Sequence, residues 1–275
     1  MPPRPEGRPL VMGIVNVTPD SFSDGGRFLA TDDAVAHGRE LLADGADILD
    51  IGGESTRPGA TRPLIEEELA RVVPVISELA AAGAVVSVDT MRAEVAQAAV
   101  AAGASIVNDV SGGLADPRIL SVTADAGATY LCMHWRGHSD VMQTLTSYDG
   151  PGGVVAAVRA ELEQRVDAAR AAGVEKLVLD PGLGFAKTAD QNWELLRGLD
   201  AFDELGLPVL VGASRKAFLG RLLPGAGGEP RPVAEREHAH VALVALLAAR
   251  GVWGLRVHDV RATRDALAVV GRMAT

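Results

Sequence analysis

A single cysteine, Cys132, is all the thiol chemistry available in a chain of 275 residues. One thiol cannot close an internal disulfide, so nothing asks for an oxidising compartment, and a cytoplasmic location is expected. Cys132 lies in the apolar run TYLCMHW, where it reads as a buried packing residue rather than a nucleophile. Aromatic residues make up only 4% against 48% hydrophobic overall, so the core is built from aliphatic and alanine side chains. No run approaches the roughly 18 apolar residues of a membrane-spanning helix, and no membrane partner is expected. The first ten residues, MPPRPEGRPL, lack the apolar stretch of a signal peptide and read as a flexible tail.

Positive charge is scarce as well. Lysine and arginine total 26 against 36 acidic residues, a net charge of −10, with no basic patch interleaved with aromatics. Nucleic acid is therefore not expected as a partner. Lysine occurs only at 176, 187 and 216, which makes each position informative. Several chemical signatures are missing too. There is no GxxxxGK[ST] phosphate loop and no GxSxG nucleophile turn. His238 and His240 are two apart, so no histidine pair has the helical spacing of a zinc site.

What the chain does have is repetition of one plan. VMGIVN (11–16) is a mostly apolar strand that runs into a polar loop, and seven further strands follow at 47–53, 85–90, 106–113, 129–135, 177–185, 208–216 and 254–260. Helical patterns alternate with them at 32–45, 65–82, 93–102, 116–126, 154–172, 191–205, 233–250 and 262–273. Thr31 is placed to cap the first helix and Gly45 to end it. Strands alternating with helices imply parallel pairing through right-handed crossovers. Eight units in a chain near the ~250 residues typical of the fold predict an α/β protein with one (β/α)8 barrel domain over residues 11–275. Its active site then lies at the C-terminal ends of the strands.

Those strand ends carry Asn16, Asp50, Asp89, Asn108, Asp180, Lys216, Arg256 and His258. A period of two places Asp50 with Ile48 and Gly52, Asp89 with Ser87, and Arg256 with His258, each set on one face. Two cations on one short strand require an anion or carboxylate between them. Asp109, Asp116 and Asp259 read as turn or cap residues, and His37, His138, His238 and His240 as surface or packing residues. Carboxylates, carboxamides and cations converging on one mouth suit a polar heterocycle together with an anion.

The stretches that supply these residues resemble the dihydropteroate synthase family along the whole chain from Val11. GIVNVTPDSFSDGG (13–26) and DIGGESTRPGA (50–60) are contiguous signatures. VDT, NDVSGG, MHW, DPGLGFAKT, GASRK and RVHDV follow in order, and MHWR and LVLDPGLGFAKT are similar to actinobacterial members. The resemblance implies a (β/α)8 barrel that condenses 6-hydroxymethyl-7,8-dihydropterin diphosphate with p-aminobenzoate to give 7,8-dihydropteroate and diphosphate. It implies that Asp89, Asn108, Met133, Asp180, Phe185, Lys216 and Arg256 bind the pterin. Asn16, Asp50, Arg256 and His258 match the diphosphate site, with Asn16 a ligand for Mg²⁺. Thr18, Pro19, Phe22, Ser55, Thr56, Arg57 and Pro58, with Phe185 and Ser214, match the p-aminobenzoate pocket, where sulfonamides would compete. Asp24, Lys216, Arg256 and His258 are the implied catalytic set, and a homodimer is the implied assembly.

Other readings stand beside this one. A catalytically silent paralogue would keep the pterin pocket and serve as a binding or regulatory protein. The corrinoid methyltransferases that act on methyltetrahydrofolate resemble the pterin pocket but not the SFSDGG and STRPGA loops. A Schiff-base aldolase would use Lys216.

Overall fold

The computed structural model describes residues 1–5, 7–17, 27–54, 62–138 and 141–274, with backbone only at 27–30 and 143. Eight strands alternate with helices: β1 (Leu10–Asn16), α1 (Arg27–Ala43), β2 (Ile48–Gly52), α2 (Ile65–Ala81), β3 (Val86–Asp89), α3 (Ala93–Ala101), β4 (Ile106–Asp109) and α4 (Arg118–Asp125). β5 (Thr129–Met133), α5 (Gly153–Ala171), β6 (Lys176–Asp180), α6 (Ala189–Arg197), β7 (Leu210–Val211), α7 (Ala217–Leu222), α8 (Glu237–Ala249), β8 (Gly254–Val257) and α9 (Val260–Met273) complete the chain. The strands pair in the order β6-β5-β4-β3-β2-β1-β8-β7, every ladder parallel. A parallel bridge between Leu179 and Val209 joins the two ends, with the Leu179 amide 2.9 Å from the Pro208 carbonyl. The sheet is thereby closed into a single (β/α)8 barrel, as the alternation predicts.

Alternation along each strand divides the apolar residues into two cores. Val11, Leu49, Val88, Val107, Cys132, Leu179 and Val257 face outward and pack, fully or almost fully buried, beneath helix residues such as Leu79, Val95, Leu162 and Leu267. Leu10, Met12, Ile48, Ile106, Leu131, Val178, Leu210 and Trp253 point inward and plug the lower barrel. This is the filled interior the fold requires, and it leaves room for polar groups only above the plug. Cys132 is fully buried, and burial raises its thiol pKa, so it is inert packing.

Helix ends follow local chemistry. Thr188 and Gln191 form a reciprocal capping box on α6, and Asp259 accepts the Ala262 amide at 2.9 Å to start α9. Asp109 accepts from the Ser111 and Gly113 amides and from the Tyr130 hydroxyl, so it holds the turn after β4 and does not cap α4, which follows Pro117.

Several local expectations need correction. Thr31 lies inside α1, which starts at Arg27, so it does not cap that helix. The pattern over 191–205 breaks at Gly198, where a Cβ would come within 2.9 Å of Val155 on α5, and a 3-10 turn (Leu199–Leu205) continues instead. β7 is only two residues long, with Val209 before it contributing the isolated bridge to Leu179, and the helix expected from 233 is preceded by the short α7 and begins at Glu237. At the other end, Leu10 already belongs to β1, and Arg8 is tied to the Asp47 carboxylate at 2.6 and 2.7 Å.

Candidate active site

Immediately above the apolar plug, the inward positions of β2, β3, β4 and β8 become polar. Asp50 pairs in register with Ile14 and Ser87, and one level higher Gly52, Asp89 and Asn108 lie side by side. Arg256 reaches across from β8. Its Nε donates to Asp50 Oδ2 and its Nη2 to Asp89 Oδ2, both at 2.6 Å. Asn108 Nδ2 also donates to Asp50 Oδ2, at 2.9 Å. The side chain missing at Gly52 leaves space for Asp89, whose Cβ lies 3.5 Å from where a Cβ at 52 would stand. Asp50 and Asp89 are thus the carboxylates that meet Arg256, whereas His258 is bonded to Ser214.

Electrostatically this is a cation between two buried anions. Burial would lower the Arg256 pKa, but Asp50 and Asp89 outweigh it and hold the guanidinium charged. Burial pushes Asp89 up to about 7; Arg256 opposes the rise and Asp50 adds to it. Because the folded pKa lies above that of an unfolded aspartate, the stability this group contributes is full at low pH and is lost as pH rises through about 7. Asp89→Asn removes that charge while keeping an acceptor for Arg256. The variant's melting temperature relative to wild type should therefore climb between pH 5 and pH 8. A gap that stays constant would show that Asp89 ionises as an ordinary surface aspartate does.

Two buried atoms in this layer, Asp50 Oδ1 and Ser87 Oγ, have no hydrogen-bond partner. Buried polar groups are normally satisfied, so these are open valences of the kind a polar ligand or water fills.

Across the mouth, Asp180 Oδ1 accepts the Gly182 amide at 2.7 Å. Burial raises the Asp180 carboxyl, with Lys216 opposing. Lys216 Nζ donates to the Leu183 carbonyl and stands 5.0 Å from the centroid of the Phe185 ring. Burial lowers the Lys216 ammonium to about 8, Asp180 opposing and Arg256 adding to the drop. Gly212 keeps this side open; a Cβ there would lie 3.6 Å from Arg256 and 3.8 Å from Asp180 Oδ2. Met133 packs with Met91 and Val110 beside Phe185. Ser214 Oγ is 3.0 Å from His258 Nδ1 and accepts the His258 amide at 3.3 Å. Asn16 ends β1 opposite Gly52, at the level of Asp89.

The barrel therefore brings Asn16, Asp50, Asp89, Asn108, Met133, Asp180, Phe185, Ser214, Lys216, Arg256 and His258 to one end. Thr18, Pro19, Phe22, Asp24, Ser55, Thr56, Arg57 and Pro58 lie outside the described residues. Among the described residues no three His, Cys, Asp or Glu side chains cluster as a metal site, and no helix is long and apolar enough to cross a membrane.

Two features escape sequence reasoning. Around 54–63, Arg71 Nη1 donates to the Gly53 carbonyl at 2.8 Å, and Arg92 donates to the Pro63 carbonyl at 2.7 Å and to buried Glu68 at 2.8 Å. Beneath the mouth, Lys187 and His134 are buried in contact with each other. The scarcity of lysine, with one inside the motif DPGLGFAKT, was the signal available for the second.

A family model for pterin binding enzymes matches residues 12–258. Dihydropteroate synthase of Mycobacterium leprae is 56% identical over 265 residues, which cover 95% of this chain and 92% of that protein. A solved structure of Xanthomonas albilineans dihydropteroate synthase with 4-aminobenzoic acid superposes with a TM-score of 0.87 at 48% identity, covering 98% of this chain and 94% of that one. The same enzyme in complex with 7,8-dihydropteroate gives a TM-score of 0.83 at 45% identity, with coverage of 98% and 94%.

Proposed function

The chain belongs to the pterin-binding enzyme family, and from that membership we propose how the residues at its barrel mouth carry out the dihydropteroate synthase reaction. The enzyme is a transferase of folate biosynthesis that joins 6-hydroxymethyl-7,8-dihydropterin diphosphate to p-aminobenzoate, giving 7,8-dihydropteroate and diphosphate. The observation that carries the assignment of roles is the Asp50–Arg256–Asp89 clamp facing Asp180 and Lys216 above an apolar plug.

A pterin offers an edge of N–H donors beside ring acceptors. Asp89, Asn108 and Asp180 receive that edge, and Lys216 donates to the ring oxygen and nitrogen. Arg256 uses Nε and Nη2 on the two carboxylates, which fixes its plane and leaves its flat face to stack on the ring. Met133 and Phe185 wall the ring. The p-aminobenzoate pocket is formed by Thr18, Pro19, Phe22, Ser55, Thr56, Arg57 and Pro58 together with Phe185 and Ser214.

As the C–O bond to diphosphate breaks, negative charge grows on the leaving group and positive charge on the pterin methylene. Arg256 and His258 stabilise the first, and Asp24 the second. The hard oxygen donor of Asn16, with the open valence of Asp50 Oδ1 nearby, suits Mg²⁺, which takes few protein ligands alongside phosphate oxygens and water. When bound, the ion supplies further positive charge to the departing diphosphate.

We assign the protein to the cytoplasm and to a homodimer. The apolar side chains Leu246 on α8 and Val269 on α9, 67% and 60% exposed, support that assembly. The deciding experiment is product formation from both substrates. Dihydropteroate should appear only when pterin diphosphate, p-aminobenzoate and Mg²⁺ are all present, vanish on chelation, and be suppressed by a sulfonamide. Tight pterin binding without product would instead identify a silent pterin-binding protein.

A further inference from the structure

Lys187 is 3% exposed and closes the loop between β6 and α6. Its Nζ lies 2.9 Å from the Gly182 carbonyl, 2.9 Å from the Phe185 carbonyl and 2.8 Å from His134 Nδ1. His134, 1% exposed, places Nε2 2.9 Å from Glu161 on α5. Glu161 in turn receives Arg136 through Nε at 3.0 Å and through Nη2.

The hydrogens in this chain can be counted. Burial opposes ionisation of Glu161, but the hydrogen bonds from His134 and Arg136 outweigh it and bring its pKa to about 2, so it can only accept. His134 Nε2 must then carry the proton shared with Glu161. Burial, with Lys187 beside it, lowers the His134 pKa to about 4, so the ring is neutral and Nδ1 is a lone pair. Burial lowers the Lys187 pKa well below the ordinary lysine value, yet the three acceptors around Nζ, that lone pair and two carbonyls, match the three hydrogens of the ammonium form. Nothing is left over for a ligand.

What those bonds hold is an awkward backbone. Gly182, Gly184 and Ala186 all have positive φ (68°, 81° and 50°), and at Ala186 this costs about 1 kcal/mol. A Cβ at Gly182 would sit 2.3 Å from the His134 carbonyl, so the loop is pressed against the end of β5. The same loop presents the Leu183 carbonyl to Lys216 and the Phe185 ring beneath it. We propose that Lys187, aligned by His134 and Glu161, is a positioning residue for the β6–α6 wall of the site, fixing Phe185 and the carbonyl that receives Lys216. This rests on the assignment of Phe185 to the p-aminobenzoate pocket and of Phe185 and Lys216 to the pterin. Both substrates should therefore feel its loss, although Asp89 and Asn108 stand on strands that the network does not touch.

Lys187→Met keeps the stem and removes the donors. A loosened wall should raise KM for p-aminobenzoate by about tenfold to a hundredfold, and pterin affinity measured by calorimetry should fall as well, because Phe185 and Lys216 also face the pterin. His134→Gln can still accept from Lys187 and donate to Glu161, so it should stay close to wild type, whereas His134→Leu should behave as Lys187→Met does. A merely structural role would separate the two histidine variants in stability but not in KM for p-aminobenzoate, and that comparison decides the matter even if Lys187→Met fails to fold. An active wild type with an unchanged p-aminobenzoate KM in folded Lys187→Met, or with Gln and Leu variants equal in that KM, overturns the positioning role alone. A wild type that makes no dihydropteroate overturns the functional reading, and this role with it.

Discussion

Arg256→Met should lower kcat/KM about a thousandfold, the upper range for losing one preorganised donor at a charge-developing site. It should also destabilise the fold. The guanidinium is the bridge between Asp50 and Asp89, bonded to each at 2.6 Å. Removing one partner of a buried ion pair leaves uncompensated charge, at a cost of about 3–5 kcal/mol. Here two carboxylates are stranded on adjacent levels of the barrel. Proton uptake offers a partial escape, because Asp89 already titrates near 7 with the arginine present and must rise further without it. The stability deficit of the variant should thus be smaller at pH 5.5 than at pH 8, as denaturant melts at the two values would read. Arg256→Lys should recover charge but not the fork that holds two carboxylates at once, and so regain only part of either quantity. Turnover within tenfold of wild type in Arg256→Met would remove this residue from the catalytic set.

That clamp also marks how far the sequence can be read. Alternation along 254–260 and 47–53 puts Arg256 and Asp50 on inward faces, because a period of two follows from strand geometry alone. It also predicts an anion or a carboxylate beside the Arg256 and His258 face. Which carboxylate is a matter of barrel closure: Asp50 and Asp89 are 206 and 167 residues away in sequence and are brought near by the ladders of β1, β2 and β3. The barrel was legible because every unit repeats the same apolar strand and helical pattern.

Where local patterns failed, a tertiary contact had won. Gly198 interrupts a helical pattern because Val155 of another helix occupies the space a side chain would need. Lys187 and His134 are 53 residues apart, and Glu161 lies 27 residues beyond His134. No spacing rule joins a lysine in a turn, a histidine past a strand end and a glutamate on a helix. Only the folded contacts, two of the three residues buried, reveal them as one unit.

Lys216→Met should separate binding from stability. The ammonium stands over Phe185 and donates to the Leu183 carbonyl, and burial has brought it down to about 8, below the ordinary lysine range. With the folded pKa below the unfolded one, the unfolded chain binds the proton more tightly across that window. Folding stability attributable to this group therefore increases as pH rises from about 8 toward the ordinary lysine value, and below 8 the charged side chain is a burden on the fold. Methionine keeps the length of the stem and removes the charge. At pH 7 the variant should melt no lower than wild type, and any advantage should shrink by pH 10.5, where the wild-type lysine is neutral in the fold and about half neutral in the unfolded chain. Pterin affinity should move the other way, falling by about a hundredfold for the loss of a charged donor to a buried acceptor. Wild-type pterin binding should itself weaken as pH passes 8, while binding to the variant stays flat on that limb. Calorimetry with the pterin and thermal melts at pH 7 and 10.5 test both halves together. A variant that binds pterin normally would take Lys216 out of the pocket. One that melts well below wild type at pH 7 would show that the bond to Leu183 outweighs the cost of burying the charge, making the lysine a structural tie rather than a donor reserved for ligand.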